Sequence, residues 1–110
     1  MPRVTVFNLK KDDPLPEVEV AVRLALTSRP ALEINDHEID LVPVYEPDDF
    51  RTTVARIDVD LWEHPARTKE ALQHLATEVA HAFRSVVGTD RKVKVVIRPY
   101  DVQRSGWVSF

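Results

Sequence analysis

The sequence repeats one pattern, a strand followed by a helix and a second strand, and this repeat limits the fold more than any other feature. Residues 3–6 (RVTV) align with 56–59 (RIDV) at an offset of 53, and residues 36–41 (DHEIDL) align with 90–95 (DRKVKV) at an offset of 54. Matching strands in register predict a duplicated structural unit. We therefore predict a single domain over residues 1–110, with repeats of about 1–53 and 54–110.

The first repeat carries the signals of each element in turn. Residues 4–9 are rich in β-branched and aromatic side chains and predict a strand. Asp13 precedes a helical apolar pattern that continues to about Ser28, and we expect its carboxylate to cap that helix. Residues 39–45 predict a second strand. Since Pro43 has no N–H to donate, this strand belongs at a sheet edge or a bulge.

The second repeat has the clearer hydrophobic pattern. Residues 56–62 alternate apolar and polar side chains as a strand does, and residues 93–98 predict the final strand. Between them a helix is expected from about Arg67 to Val87, with Gly88 just beyond its end. Its apolar stripe comprises Leu72, Leu75, Ala76, Val79, Phe83 and Val86.

The repeat predicts an α/β (α+β) domain, with a four-stranded mixed sheet and two helices on one face, because crossovers in such units are right-handed. The helix-facing strand positions are Val4, Val6, Ile57, Val59, Leu61, Val93, Val95 and Ile97, and the opposite face carries Arg3, Thr5, Phe7, Asp40, Asp58, Asp60, Lys94 and Arg98. That opposite face is either solvated or a subunit interface with complementary charges. Phe7 and Val96, which would otherwise be exposed in mid-sheet, favour the interface.

Composition and charge exclude several function classes. The chain has no cysteine, which rules out disulfides, thiolate metal sites and cysteine nucleophiles. Its formal charge of −3 gives no attraction for phosphate backbones, so we expect no nucleic-acid partner. No apolar run approaches the ~20 residues that span a bilayer, so we expect a cytoplasmic protein with no membrane association. We also expect no metal site, because His74, Glu78 and His81 lie opposite the apolar stripe of the second helix.

Several features together resemble the tautomerase superfamily: Met1-Pro2 directly before a strand, the doubled β-α-β unit, a length near 110 residues and the lack of cysteine. Arg29-Pro30 resembles a basic residue and proline after the first helix in the migration inhibitory factor branch. Residues 90–107 resemble that branch's last strand and tail.

The resemblance implies a function and the residues that perform it. Pro2 stands where the superfamily keeps its catalytic amino-terminal proline, freed when the initiator methionine is removed. Arg29 and Arg98 would bind a substrate carboxylate, and Val96 and Trp107 would line the pocket. The resemblance also implies a homotrimer with its sheets turned inward, a small carboxylate substrate and no cofactor.

Departures from the motifs of each branch leave open which branch of the superfamily the chain resembles most. The decarboxylase branch has Arg-Pro-Arg after its third strand, where this chain has His64, Pro65 and Ala66, with Arg67 one place later. Val96 stands where the migration inhibitory factor branch has a tyrosine. No single branch therefore fits.

The chemistry of Pro2 follows from its structure. A terminal proline is a rigid secondary amine, and an apolar pocket with nearby cations lowers its pKa so that the free base is present near neutral pH. Such a base moves a proton on a small 2-oxo or unsaturated carboxylic acid, which is tautomerase or isomerase activity. If it activates water instead, the reaction is hydration or dehalogenation, and decarboxylation is open on the same scaffold. A catalytically silent oligomeric binding protein is the alternative from another class.

Overall fold

Each half of the chain forms a strand, a helix and a second strand in the same order. The computed structural model describes residues 2–47, 54–101, 103–106, 108 and 110. The first half contains β1 (Arg3–Leu9), α1 (Leu15–Thr27) and β2 (Asp40–Tyr45), and the second contains β3 (Val54–Trp62), α2 (Lys69–Val87) and β4 (Lys92–Tyr100). Short 3₁₀ turns at Pro30–Leu32 and Asp36–Glu38 join α1 to β2. The predicted boundary between the repeats adjoins residues 48–53, which lie outside the described residues.

The four strands form one mixed sheet in the order β2-β1-β3-β4. The pairs β1/β2 and β3/β4 are parallel, while β1 and β3 are antiparallel at the centre. This is the predicted fold class. Pro43 lies on the edge strand β2 opposite Val6, immediately before an irregularity in the register, so its predicted place at an edge is confirmed.

The core lies between the sheet and the two helices, which cover one face. Alternate residues of β1 and β3 point into it, as predicted, and α1 and α2 pack beside each other above them. The core side chains that are fully buried include Val4, Val6, Leu9, Val18, Val22, Leu26, Ile57, Val59, Leu75, Val79 and Phe83. Among the described residues, no helix is long and apolar enough to cross a membrane.

The prediction that Asp13 caps α1 is wrong. Pro14 occupies the N-cap position without a side-chain cap, and the Asp13 carboxylate turns to two other donors. It accepts hydrogen bonds from the Lys10 N–H at 2.8 Å and from Arg91 Nη1 at 2.7 Å. The side chains of Asp13 and Arg91 are only 8% and 9% exposed. A buried guanidinium binds a carboxylate more strongly than a helix N–H does, so the long-range partner prevails.

Gly88 follows α2 as predicted, and its backbone conformation explains the residue type. Its φ of +118° lies in the region that side chains rarely adopt, and its N–H donates to the Arg84 carbonyl at the helix end. A Cβ at this position would stand 2.7 Å from Asp90 Oδ1. Glycine therefore allows the tight connection from α2 into β4.

Candidate active site

One end of the sheet brings together the beginnings of β1 and β2 and the ends of β3 and β4. Pro2 lies there, immediately before β1, and it is buried. Its carbonyl oxygen accepts a hydrogen bond from the Asp40 N–H at 3.0 Å, which fixes the start of β1 against β2. Pro2, the candidate reactive residue, is thus held at the point where β1 begins beside β2.

A row of charged residues crosses the sheet one residue further along β1, on the face opposite the helices. Arg3 pairs in register with Asp40 of β2 and with Asp60 of β3, and Asp60 pairs with Arg98 of β4. We call Asp40, Arg3, Asp60 and Arg98 the charge row. Since neighbouring strands are ~4.8 Å apart, the row places Arg98 about 10 Å from Arg3. Its charges alternate in sign along all four strands.

Arg98 is held firmly by the two acidic residues of β3. Its Nε donates to Asp60 Oδ1 at 2.9 Å, and its Nη2 lies 3.4 Å from both Asp60 Oδ2 and Asp58 Oδ2. The hydrogen bond and charge of Asp60 raise the pKa of the Arg98 guanidinium. Asp58, whose side chain is 10% exposed, also accepts from Arg56 Nε at 2.7 Å. Both carboxylates of β3 are therefore paired with arginines, Asp58 with Arg56 and Arg98 and Asp60 with Arg98.

Arg29 lies on the other side of the sheet. Its Nε and Nη2 donate to Glu78 Oε1 of α2 at 3.2 and 2.5 Å, and the Ser28 hydroxyl donates to the second oxygen of Glu78. This pairing raises the pKa of Arg29 and lowers the pKa of Glu78. Glu78 belongs to the helix layer, whereas Arg98 lies on the face opposite the helices, which we call the open face. The sheet therefore separates Arg29 from Arg98 within one protomer.

Arg67 joins the two loops at the Pro2 end of the sheet. Its Nε and Nη2 donate to the Leu32 and Glu33 carbonyls at 3.0 and 3.3 Å, and its Nη1 donates to the Trp62 carbonyl at 2.6 Å. Burial lowers the pKa of Arg67, against the opposing charge of Glu33. From the sequence, Arg67 is expected at the start of the second helix and one place from a family motif, but it precedes α2, which begins at Lys69. Two of its three acceptors, the Leu32 and Glu33 carbonyls, lie more than 30 residues away in sequence, and no sequence pattern marks them.

His64 reinforces the same junction. Its Nε2 lies 2.6 Å from Glu33 Oε2, and its Nδ1 accepts a hydrogen bond from the Ala66 N–H at 3.1 Å. Both ring nitrogens are thus engaged. A depression beside it is lined by Glu63, His64, Pro65, Arg67 and Pro99.

Val96 and Trp107 are the remaining predicted site residues. Val96 of β4 is partly buried and pairs in register with Asp58 of β3, two residues before Arg98 of the charge row. Trp107 lies outside the described residues. The described residues contain no cluster of three or more histidine or acidic side chains that could hold a metal ion.

Comparisons with known proteins connect this geometry to a fold family. No family model and no curated protein matches the sequence. Solved structures do match over nearly the whole chain. A fused 4-OT, described as an asymmetric trimer, aligns with a TM-score of 0.76 at 11% identity, covering 96% of this chain and 91% of that one.

Two further matches were solved with inhibitors. FG41 malonate semialdehyde decarboxylase inhibited by 3-bromopropiolate aligns with a TM-score of 0.69 at 15% identity, over 99% of this chain and 89% of that one. Pt0534 inactivated by 2-oxo-3-pentynoate aligns with a TM-score of 0.70 at 12% identity, over 96% and 90%. All three solved proteins are tautomerase superfamily members. The chain therefore has the fold of the tautomerase superfamily, as the resemblance in its sequence implied.

Proposed function

We propose that the protein is a tautomerase or isomerase that uses Pro2 as its base and acts on a small 2-oxo or unsaturated carboxylic acid. The observation that carries the proposal is the position of Pro2, which is buried at the start of β1 and adjoins a row containing two arginines. The shared fold with proteins named as 4-OT supports it.

In the proposed reaction the proline nitrogen, once freed from Met1, accepts a proton from the carbon next to the substrate carbonyl. The electron pair of that C–H bond moves into the conjugated system and forms a dienolate. The prolinium then returns the proton to another carbon, which restores the free base. Burial and neighbouring cations favour the neutral amine, because both disfavour its charged form.

Arginine side chains bind the substrate carboxylate in this proposal. Arg98 is bound to Asp58 and Asp60 through Nε and Nη2, and among the described residues its Nη1 has no hydrogen-bond partner. That nitrogen can donate to a substrate oxygen while the rest of the group stays fixed. Arg29 would reach the same carboxylate only from a neighbouring subunit and after exchange with Glu78. Val96 and Trp107 would supply the apolar wall.

A homotrimer with inward-turned sheets is part of the proposal. Covering the open face would remove Phe7 and Val96 from solvent, and the fused 4-OT structures include trimers. We expect sedimentation equilibrium at micromolar concentration to give three times the chain mass. A Phe7→Asp variant should shift the population towards the monomer, whereas Leu24→Asp on the exposed helix face should leave it unchanged. A wild-type monomer would contradict this arrangement.

A hydratase, dehalogenase or decarboxylase is the second candidate. The same base would activate water or assist loss of CO₂, and the structural likeness to malonate semialdehyde decarboxylase favours it. Neither proposed reaction requires a cofactor. We propose that the protein is cytoplasmic in either case.

The state of the amino terminus provides the direct test. We expect intact-mass measurement of untagged protein to show loss of Met1, and this form to ketonise phenylenolpyruvate. A variant with glutamate inserted between Met1 and Pro2 should keep Met1 and be inactive, because an amide nitrogen is not basic. Equal activity of the two forms would overturn the proposal. Retention of Met1 in the native protein would favour the silent binding protein.

A further inference from the structure

We infer that Arg3 is a substrate-binding residue that holds the carboxylate beside Pro2, a role that rests on the proposed function. The resemblance to known proteins points to Arg29 and Arg98, and nothing in it points to position 3. The arginines around the site differ in how many acceptor atoms already bind their guanidinium groups.

The other arginines of this region are each held by several hydrogen bonds. Arg98 is bound by two aspartates, Arg29 by Glu78 through two nitrogens, and Arg67 by three backbone carbonyls. Each would have to give up contacts to bind a ligand with its full guanidinium edge. Such an exchange costs much of what the new contacts would contribute.

Arg3 is different, because its guanidinium makes no hydrogen bond with the described residues. Its nearest acidic group is Asp40, whose Oδ2 lies 3.8 Å from Arg3 Nε, beyond hydrogen-bond distance. In a single protomer the Arg3 side chain is 63% exposed. A pair of this kind holds neither partner firmly, so the fork of the guanidinium remains able to bind a carboxylate through two parallel hydrogen bonds.

The position of Arg3 suits a carboxylate whose neighbouring carbon must reach Pro2. The two residues are consecutive, so their Cα atoms are ~3.8 Å apart. The Arg3 side chain leaves the strand on the face opposite the helices, in the charge row and at the first residue of β1. Asp60, its neighbour on β3, is already bound to Arg98 and does not compete.

Among the described residues, Asp40 is the local competitor for Arg3. Its backbone N–H holds the Pro2 carbonyl, and its 57% exposed carboxylate faces Arg3 across the β1/β2 pair. A substrate carboxylate bound to Arg3 takes the place of this carboxylate. Removing the negative charge at position 40 should therefore strengthen substrate binding, whereas removing the positive charge at position 3 should weaken it.

The test is a pair of variants with opposite expected effects. We expect Arg3→Gln to raise the KM for the carboxylate substrate 5- to 20-fold with kcat changed less than threefold, and Asp40→Asn to lower KM two- to fivefold. Arg3→Lys should recover part of the loss. With the methyl ester of the substrate, neither Arg3→Gln nor Asp40→Asn should change KM. Lys94→Gln, an exposed charge change elsewhere on the same face, serves as the control.

Equal effects on acid and ester, or a raised KM in both variants, would overturn the role of Arg3. Binding of an unreactive 2-oxo carboxylate, followed by NMR titration, separates this inference from the catalytic proposal. Weaker binding in Arg3→Gln alongside full activity in Pro2→Ala would retain the carboxylate site and reject the proline base. Unchanged binding in Arg3→Gln with an inactive Pro2→Ala would retain the proline base and reject the carboxylate site at Arg3.

Discussion

Pro2→Ala should lower kcat/KM by about 10²- to 10⁴-fold, the range that a positioned general base contributes. After removal of Met1 the variant still has a terminal amine, but this amine is primary and lacks the ring that fixes the nitrogen. The lost rate reflects the orientation and basicity of one atom, because the backbone hydrogen bond from Asp40 to residue 2 needs no proline ring. Steady-state kinetics over a range of pH would measure the effect.

Pro43→Ala is a suitable control for that experiment. It makes the same change on the edge strand β2, away from the charge row, and should leave kcat/KM within about twofold. The acidic limb of the wild-type pH profile should move in Pro2→Ala and stay in place in Pro43→Ala. Full activity in Pro2→Ala would end the catalytic proposal, whatever the fold.

Asp13→Ala should destabilise the protein by about 3 kcal/mol or more, because it leaves the buried Arg91 guanidinium without its counter-charge. The same substitution removes the acceptor of the Lys10 N–H, which holds the turn between β1 and α1. Urea unfolding followed by circular dichroism would measure the free energy of unfolding.

The neighbouring residue provides the comparison. Asp12 is exposed, so Asp12→Ala should change the free energy of unfolding by less than about 0.5 kcal/mol. The double variant Asp13→Leu/Arg91→Met should regain much of the loss, since it buries no unpaired charge. If Asp13→Ala were as stable as Asp12→Ala, the ion pair would have no structural importance.

Hydrophobic periodicity was sufficient to predict the sheet and helices. The stripe through Leu72, Leu75 and Val79 marked α2, and the alternation around Val59 marked the central strand, because local spacing determines which side chains meet the core. Pro43 marked the sheet edge for an equally local reason, its missing N–H. The observed bounds differ by one or two residues at the strand ends and at the start of α2, which begins at Lys69 and not at Arg67.

Hydrophobic periodicity could not predict which charged residues pair with one another. Asp13 was expected to bond within its own helix, but its guanidinium partner lies 78 residues away in sequence. Asp60 and Arg98 meet because β3 and β4 pair in one particular register, and a shift of one residue would part them. The sequence therefore named Pro2 and Arg98 as site residues without showing what already binds Arg98.

The same order of elements in both halves also has a consequence for the number of reactive sites. At the offset of 53 residues, the counterpart of Pro2 in the second unit is Ala55, a buried residue within β3 whose nitrogen belongs to an ordinary peptide bond. In the described part of the chain, the residue equivalent to Pro2 therefore offers no free amine. Under the proposed mechanism, an assembly of these chains would contain one reaction centre per two β-α-β units.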